Sequence, residues 1–338
     1  MRAMVLHAIS PIDERPLVLE ERPVPEPGLG ELLVRVRTCG VCRTDLHVIE
    51  GDLPERRMPI VPGHQVVGVV ERRGPECSGP LRPGDRVGIA WLRHTCGTCR
   101  WCRAGQENLC PHSRYTGWHE DGGYADFATV PEAFAYPVPD GFDDLAAAPL
   151  LCAGIIGYRA LRRARVPDGG RVLLYGFGSS AHVVLQVARH RGCEVQVVTR
   201  GASHRDLARR MGAAWVGEPG ERPAESPDGA IIFAPAGEIV PEALRAVRPG
   251  GTVACAGIHM SPVPSMPYEE CLFHEKTLCS VEANTREDGH GLLREAAEAA
   301  VEARVTEFPL EEANEALRRL KDDGIDGSAV LRVSEAPG

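Results

Sequence analysis

The stretch Arg171–Ala181, which reads RVLLYGFGSSA, joins a short apolar strand to a glycine turn and the start of a helix. It fits the G-x-G-x-x-G/A pattern, in which glycines allow a tight turn and close approach of a pyrophosphate to the helix N-terminus. Alone, the pattern is also typical of an ordinary strand–helix turn. Here a strand precedes it and a helical stretch follows, over 181–191. We therefore predict a dinucleotide contact at Gly176, Phe177, Gly178, Ser179, Ser180 and Ala181.

Strands and helices alternate downstream of this turn, which predicts parallel βαβ units. Expected strands cover 194–198, 230–233, 252–255 and 277–281, and expected helices cover 203–211 and 241–247. The region rich in Pro, Glu and Gly over 218–228 is expected to be a surface loop. Residues 151–285 are thus predicted to form a doubly wound α/β domain with a parallel sheet.

The first 150 residues have a different rhythm, with many turn signals between short β-rich runs such as Leu32–Val36 and Val66–Val70. This punctuation predicts a mostly-β domain. Near the end of the chain, helices are expected over 291–303 and 310–321, and a strand over 328–333. That strand is expected to return to the first domain, so residues 286–338 would complete it.

Composition and charge narrow the functional classes. The 338 residues are 43% hydrophobic and 25% charged, the composition of an ordinary soluble globular protein. A net charge of -9 without a basic stripe argues against nucleic-acid binding. No apolar run approaches the roughly 20 residues that cross a bilayer, and the N-terminus lacks the features of a signal peptide. The expectation is a cytoplasmic enzyme with no membrane partner.

Four of the twelve cysteines fall within fifteen residues, at Cys96, Cys99, Cys102 and Cys110. Four closely spaced thiolates suit a tetrahedral zinc ion and leave no open position for chemistry. Unrelated buried cysteines or an iron–sulfur cluster are the alternatives. The spacing favours a structural zinc site.

A second set of potential ligands is spread along the chain at Cys42, His64 and Cys152. Any one of them alone is more often a packed or surface residue than a ligand. Together they supply the Cys/His/Cys set that a catalytic zinc uses, with a fourth position open to water or substrate.

These fragments resemble, in order and spacing, the zinc-containing alcohol dehydrogenases of the medium-chain dehydrogenase/reductase family. The resemblance rests on Gly40–Asp45, Pro62–His64, the four-cysteine loop, Leu151–Gly154 and the glycine turn, and it covers essentially the whole chain. It is nearest to bacterial enzymes beside the cinnamyl alcohol dehydrogenase branch. The resemblance implies a GroES-like catalytic domain and a Rossmann domain, and reversible hydride transfer between NAD(P)(H) and a primary alcohol or aldehyde.

The resemblance also implies individual roles. Cys42, His64 and Cys152 would hold the catalytic zinc, and Asp45 would accept a hydrogen bond from the His64 ring. Thr44 would accept the proton of the substrate hydroxyl, and His47 would pass it toward solvent through the cofactor ribose. Arg43 would meet the cofactor pyrophosphate. The family often has glutamate after the ligand histidine, where a carboxylate approaches zinc during ligand exchange, but this chain has Gln65.

The choice between NAD and NADP depends on the end of the second strand of the cofactor domain. An acidic residue there would bind the ribose 2′-hydroxyl, but this chain has Thr199 and Arg200. Arg200 fits a 2′-phosphate, which favours NADP slightly, although it is also typical of an ordinary solvated charge. Gly257 and Ile258, followed by His259, stand where the resemblance implies that the backbone approaches the nicotinamide.

Trp91 and the stretch 115–119, which contains Trp118, are predicted to line the substrate pocket, and core or rim aromatics are the alternative. An aromatic pocket favours medium-length or aromatic primary alcohols.

A polyol or sugar dehydrogenase of the same superfamily is the main alternative to this function. A zinc-binding interaction protein is the rival of another class, and zinc stoichiometry separates it from an enzyme with two ions. The resemblance further implies a homodimer or homotetramer.

Overall fold

The computed structural model describes residues 1–54, 57–325 and 327–334. The chain forms two compact units. The first comprises Met1–Cys152, Ala283–Ala297 and Glu302–Gly338, and the second comprises Ala153–Glu282 and Glu298–Val301.

The N-terminal part of the first unit is built from β-strands. They are β1 (Arg2–Leu6), β2 (Leu17–Glu21), β3 (Glu31–Val41), β4 (Gln65–Arg73), β5 (Arg86–Ile89), β6 (Leu92–His94), β7 (Arg114–Tyr115), β8 (Phe127–Pro131) and β9 (Ala135–Pro137). The long strand β3 pairs antiparallel with β4 on one side, and β8 also pairs with it. This is the mostly-β arrangement expected from the turn signals.

The second unit has a six-stranded parallel sheet. Its strands are β10 (Arg171–Tyr175), β11 (Glu194–Val198), β12 (Trp215–Gly217), β13 (Gly229–Ile232), β14 (Thr252–Cys255) and β15 (Thr277–Ser280). Their spatial order is β12-β11-β10-β13-β14-β15, the doubly wound order of dinucleotide-binding domains. The central strand β10 is buried over four consecutive residues, because a parallel sheet is covered on both faces. The predicted α/β class is confirmed.

Two C-terminal strands, β16 (Val305–Pro309) and β17 (Ser328–Arg332), complete the sheet of the first unit. β17 pairs antiparallel with β3, as expected for a strand that returns to the first domain. β16, which pairs parallel with β17, was not predicted.

The helices of the chain are mostly short. They are α1 (Arg43–Glu50), α2 (Arg100–Arg103), α3 (Asp144–Ala147), α4 (Ala153–Arg163), α5 (Ser179–His190), α6 (Ala202–Arg210), α7 (Ile239–Ala246), α8 (Tyr268–Cys271), α9 (Arg286–Glu298) and α10 (Ala313–Lys321). Within the described residues no single helix is long and apolar enough to cross a membrane. Asp144–Leu151 and Ala153–Arg163 meet the length and composition test only as a pair bent by 45°, and core helices also meet that test.

The predicted helix over 291–303 was wrong in position, because α9 begins five residues earlier. Thr285 and Asp288 form a reciprocal cap: Thr285 N–H donates to the Asp288 carboxylate at 2.9 Å, and Asp288 N–H donates to Thr285 Oγ1 at 3.2 Å. Such a cap starts a helix at the following residue. The helix ends at Glu298, shortly before Ala300 adopts a left-handed backbone with φ of 47°.

Candidate functional site

Cys42 is the residue that caps helix α1. Its sulfur accepts a hydrogen bond from Thr44 N–H at 3.3 Å, and its own N–H donates to Asp45 Oδ2 at 2.9 Å. A sulfur at a helix N-terminus lies at the positive end of the helix dipole, which stabilises the thiolate form that binds metal. The local sequence Cys-Arg-Thr-Asp thus presents a thiolate at a fixed point.

The sheet brings His64 to the same place. Gly40 on β3 pairs with Gln65 on β4, so His64 lies level with the end of β3, just before Cys42. Gly63 has a φ of 96°, and a Cβ there would lie 2.3 Å from the Tyr124 ring. Only glycine suits this close packing, which holds the His64 backbone in position.

Cys152 comes from a separate segment of the first unit. It follows a 3-10 turn over Ala148–Leu151. Leu151 packs closely over Gly88 of β5, because a Cβ on Gly88 would lie 2.6 Å from the Leu151 side chain. Cys42 Sγ lies 4.0 Å from the Cys152 sulfur and 3.4 Å from His64 Nε2. The three predicted ligand atoms lie within 4.8 Å of one another.

These separations fit a zinc ion. Zinc–sulfur bonds of about 2.3 Å in a tetrahedron place two sulfurs roughly 3.8 Å apart, and a sulfur and a nitrogen slightly closer. Three protein donors also leave the fourth tetrahedral position open, as in catalytic zinc sites. The donor set and its spacing therefore suit a zinc ion that binds substrate.

The electrostatics of the three side chains also favour a cation. Hydrogen bonding to Cys152 lowers the pKa of Cys42 well below its ordinary value, and the same contact raises the pKa of Cys152. Burial lowers the pKa of His64, but the Asp45 carboxylate and the Cys42 thiolate outweigh burial and raise it to about 10. The protein alone can balance this buried negative charge only by retaining protons. A divalent metal ion replaces those protons.

Asp45 joins the ligand residues to the rest of the unit. Its Oδ1 lies 3.0 Å from His64 Nδ1, and its Oδ2 accepts hydrogen bonds from Cys42 N–H and, at 3.2 Å, from the Tyr124 hydroxyl. Burial, the largest effect, raises the pKa of Asp45. Because its carboxylate occupies Nδ1, the His64 ring turns Nε2 toward the sulfurs. Tyr124 was missed by the sequence reasoning, since its only signal is its place after two glycines.

Aromatic rings pack beside the ligand histidine. The Trp91 ring meets His64 edge-on, with centroids 4.9 Å apart. Trp91 stacks with Tyr115 at 4.9 Å and with Trp118 at 5.8 Å, and Tyr115 and Trp118 lie 5.7 Å apart. The structure thus brings the two predicted pocket tryptophans together with Tyr115 in one stack, which we call the aromatic stack.

The remaining predicted residues of the first unit lie on or next to α1. Thr44 and His47 are three residues apart on α1, and His47 Nδ1 lies 2.7 Å from Asp52 Oδ2. The exposed Arg43 forms an ion pair of 2.5 Å with Asp323. Gln65 is 2% exposed and packs against Gly40, where a Cβ would lie 2.9 Å from its side chain.

The four clustered cysteines form a second potential metal site, within 4.8 Å of one another. Cys99 and Cys102 sulfurs are 3.6 Å apart, and Cys96 and Cys102 sulfurs are 4.0 Å apart. Backbone N–H groups donate to Cys96 Sγ from Cys99 and to Cys110 Sγ from His112. Such bonds stabilise thiolates, and those from Thr98 and Cys99 lower the pKa of Cys96 to about 5. The donor set fits a closed structural zinc.

This cysteine loop is tied to helix α9. Glu107, between the third and fourth cysteines, accepts hydrogen bonds from the Arg286 backbone N–H at 2.9 Å and from its guanidinium at 2.9 and 2.7 Å. The hydrogen bonds from Arg286 are the largest influence on Glu107 and lower the pKa of its carboxyl group. The paired geometry holds the loop against the first turn of α9.

The predicted cofactor residues of the second unit follow three strands of its sheet. The glycine turn follows β10, Thr199 and Arg200 follow β11, and Gly257 and Ile258 come shortly after β14. Carboxyl ends of parallel strands meet at one edge of the sheet, where dinucleotides bind. Gly176 has a φ of 90°, and α5 begins at Ser179 with Gly178 as its N-cap. The helix N-terminus is thus presented as a phosphate site requires.

Arg200 is exposed, and its side chain has no ion-pair partner within the described part of the chain. Arg205 fixes the backbone of the loop around Arg200, because its guanidinium donates hydrogen bonds to the carbonyls of Thr199 at 3.1 Å and Arg200 at 2.7 Å. His259 is also exposed.

Comparison with known proteins agrees with this geometry. The alcohol dehydrogenase GroES-like domain family matches residues 28–140, and the zinc-binding dehydrogenase family matches residues 181–298. A Mycobacterium tuberculosis protein named "Probable alcohol dehydrogenase AdhA" is 51% identical over 98% of this chain and 97% of its own. An alcohol dehydrogenase of Geobacillus stearothermophilus is 35% identical over 95% of this chain and 97% of its own.

A crystal structure of an NAD-dependent alcohol dehydrogenase superposes with a TM-score of 0.89 at 26% identity, covering 99% of this chain and 100% of that one. The fold, the metal-ligand geometry and these relatives agree on one family. The chain therefore belongs to the zinc-containing alcohol dehydrogenases of the medium-chain dehydrogenase/reductase family, as an NAD(P)-linked oxidoreductase of alcohols and aldehydes.

Proposed function

We propose that this enzyme oxidises primary alcohols with an aromatic or medium-length apolar chain, and reduces the matching aldehydes. One observation carries the proposal: the three ligand residues share their surroundings with the aromatic stack, because Trp91 contacts His64 directly. Flat aromatic walls favour an aromatic or apolar substituent through stacking and burial. They offer few hydrogen-bond partners to a polyol, whose hydroxyl groups would be left unsatisfied.

The protein is proposed to hold two zinc ions, one at Cys42, His64 and Cys152 and one at Cys96, Cys99, Cys102 and Cys110. The first would supply Lewis-acid polarisation of the alcohol or carbonyl oxygen. The second would stabilise its loop and, through the Glu107–Arg286 pair, the start of α9. In this arrangement Asp45 would accept the Nδ1–H of His64 and orient the ring so that Nε2 faces the ion.

Proton transfer is assigned to helix α1. Thr44, two residues after the capping cysteine, would accept the proton of the substrate hydroxyl. His47, whose side chain is 20% exposed, would deliver it to solvent. Three-residue spacing on a helix places the two side chains on the same side, which supports the assignment.

NADP is proposed as the preferred cofactor. The glycine turn and Gly257–Ile258 would bind the shared part of the dinucleotide, and Arg43 would bind its pyrophosphate. Arg200, exposed and without a carboxylate partner among the described residues, suits a 2′-phosphate.

We further propose a homo-oligomer formed through the second unit. The edge strand β15 has β14 as its sheet neighbour on one side, and Ile258, Val263, Tyr268 and Phe273 expose apolar surface in the same unit. Edges and apolar surface of this kind are usually covered in stable proteins. None of the twelve cysteines, all of which lie in the described residues, forms a disulfide bond, which suits the reducing cytoplasm as the proposed location.

The test is a spectrophotometric assay of the purified protein with its zinc content determined. Benzyl alcohol, a medium-chain primary alcohol and sorbitol are each offered with NAD or NADP, with and without a strong zinc chelator. We expect chelator-sensitive formation of reduced cofactor with the first two alcohols. Preference for sorbitol would replace this proposal with a polyol dehydrogenase. Inactivity of protein that holds a single zinc would support a binding module.

A further inference from the structure

The C-terminal end of helix α10 packs against helix α1 and contacts both of its ends. Lys321, the last residue of α10, places Nζ 2.9 Å from Oε1 of Glu50, the last residue of α1. Two residues later, Asp323 Oδ1 accepts a hydrogen bond of 2.5 Å from the guanidinium of Arg43, the first residue of α1. Because α10 is held at the far end of α1 as well, Asp323 has a fixed position beside Arg43.

The backbone at Asp323 also determines where its carboxylate points of attachment lie. Asp323 has a left-handed φ of 55°, a conformation that favours glycine, whereas the glycine of this turn, Gly324, comes one residue later. Asp323 N–H donates to the Leu320 carbonyl at 3.3 Å, and Gly324 N–H donates to the Arg319 carbonyl at 2.8 Å. Aspartate is one of the few residues other than glycine that adopt this conformation. The turn therefore presents a carboxylate to Arg43 at a position where glycine would close the helix at least as well.

The pair between Arg43 and Asp323 occupies the guanidinium that the proposed function assigns to the cofactor pyrophosphate. The two side chains are 53% and 85% exposed, so water and salt weaken their attraction and the pair is easily broken. A pyrophosphate carries more negative charge than one carboxylate and offers a guanidinium more acceptor oxygens. It would displace Asp323 from Arg43, because carboxylate and phosphate oxygens repel each other at close range. Cofactor binding then has to break one ion pair in order to form another.

We propose that Asp323 is an internal competitor of the dinucleotide cofactor, lowering the affinity of the enzyme for it by pairing with Arg43 in the free protein. This inference rests on the proposed role of Arg43. The apparent dissociation constant equals the intrinsic constant divided by the fraction of molecules in which Arg43 is unpaired. For an exposed ion pair this raises the dissociation constant about twofold to fivefold. NAD and NADP share the pyrophosphate, so Asp323 weakens the binding of both, in contrast to the proposed action of Arg200 on the 2′-phosphate.

Isothermal titration calorimetry of the zinc-loaded protein, at low ionic strength and without alcohol, measures the cofactor affinity directly. We expect Asp323→Asn to bind NAD and NADP each about twofold to fivefold more tightly than the wild type. Asparagine has the same shape and also tolerates the left-handed backbone, so the turn should be kept. Asp322→Asn is the matched control, because it removes a neighbouring exposed carboxylate that pairs with Arg318 at 3.1 Å. It should leave both dissociation constants unchanged.

A double-variant cycle shows whether Asp323 acts through Arg43. Arg43→Gln should weaken the binding of both cofactors, and Asp323→Asn should have no further effect in that background. Unchanged or weaker binding in Asp323→Asn alone overturns the inference, and so does equal tightening in both backgrounds, since the gain would then come from lost negative charge alone. Unchanged binding in Arg43→Gln would overturn the proposed role of Arg43 and the inference with it. Inactivity of the wild type toward every alcohol offered would instead overturn the proposed function, while the binding constants would still support the inference.

Discussion

Tyr124 donates its phenolic hydrogen to Asp45 Oδ2 at 3.2 Å, deep inside the first unit where both side chains are at most 2% exposed. Asp45 uses its other oxygen for His64, so the tyrosine acts on a predicted ligand through one intermediate carboxylate. A buried carboxylate needs all of its hydrogen-bond partners, because none can be replaced by water without rearrangement. Residues that orient ligands in this way strongly affect metal affinity.

Replacing Tyr124 with phenylalanine should weaken zinc binding at the three-ligand site by about tenfold, since Asp45 loses one of its three donors. Competition with a chromogenic chelator measures the affinity. Tyr136→Phe is the control, because it removes an equally buried hydroxyl whose recorded partner is Asn284. Equal loss of zinc in both variants would mean that the effect is general destabilisation.

Zinc content should separate the two sites. The wild type should hold two ions per chain by mass spectrometry under native conditions. Cys152→Ser should hold one and lose nearly all turnover, because the open site loses a ligand. Cys99→Ser should also hold one, but with a lower thermal midpoint and residual turnover in the folded fraction. Two ions retained in either variant would contradict the ligand assignment.

Arg200→Ala should raise KM for NADP about tenfold and leave KM for NAD within about twofold, because one charge-assisted contact to a 2′-phosphate contributes about 1.4 kcal/mol. Initial rates with each cofactor measure this. Arg210→Ala, which removes an exposed arginine from the end of α6, is the control for charge alone. Equal changes in KM for both cofactors would mean that Arg200 binds the pyrophosphate, or that it acts only through the overall positive charge near the cofactor.

Trp118→Ala should lower kcat/KM for benzyl alcohol about threefold to tenfold, the range expected for the loss of about 1 kcal/mol of ring stacking. Ethanol, which has no ring to stack, should show a smaller change. Trp118→Phe should restore part of the preference, since a flat ring returns. A parallel decline for both alcohols would show that Trp118 supports the fold and does not select the substrate.

Asp228 provides a pH-dependent test of the second unit. Its carboxylate accepts hydrogen bonds from Arg171 N–H at 2.8 Å and Arg248 Nε at 2.6 Å. Burial, the largest single effect, acts to raise the pKa of Asp228, but these bonds and charges together outweigh it and lower the pKa below the usual 3.8. The folded protein therefore binds this proton less readily than the unfolded chain, and the stabilisation is complete above pH 3.8 and declines as pH falls through the folded-state pKa.

Asp228→Asn should lower the thermal midpoint by about 2 to 4 °C at pH 7, for a loss of about 1 kcal/mol. The difference from the wild type should shrink as pH falls below about 3.8, because the unfolded wild-type chain then binds a proton that the folded protein binds less readily. Scanning calorimetry across pH 3 to 7 measures it. A difference that stays constant over this range would mean that the charge of Asp228 contributes nothing.

Features governed by residues close in the chain were predictable. The four cysteines lie in one loop, so their spacing already implies a shared ion, and the structure brings their sulfurs together. The glycine turn could also be predicted, because its strand, turn and helix are consecutive in the chain. The start of α9 was misplaced because its cap was not recognised, although Thr285 and Asp288 stand in the right spacing for one.

Features that depend on segments distant in the chain could be predicted only from the family resemblance, or could not be predicted at all. Cys42, His64 and Cys152 are separated by 22 and 88 residues, and their approach depends on the pairing of β3 with β4 and on the packing of Leu151 over Gly88. The Tyr124 bond to Asp45, the aromatic stack and the reach of Asp52 to His47 are likewise tertiary contacts. The sequence by itself determined which side chains were available and where the local turns lie. Only the tertiary structure decided which of them meet, because sheet register and core packing join residues whose order in the chain carries no distance information.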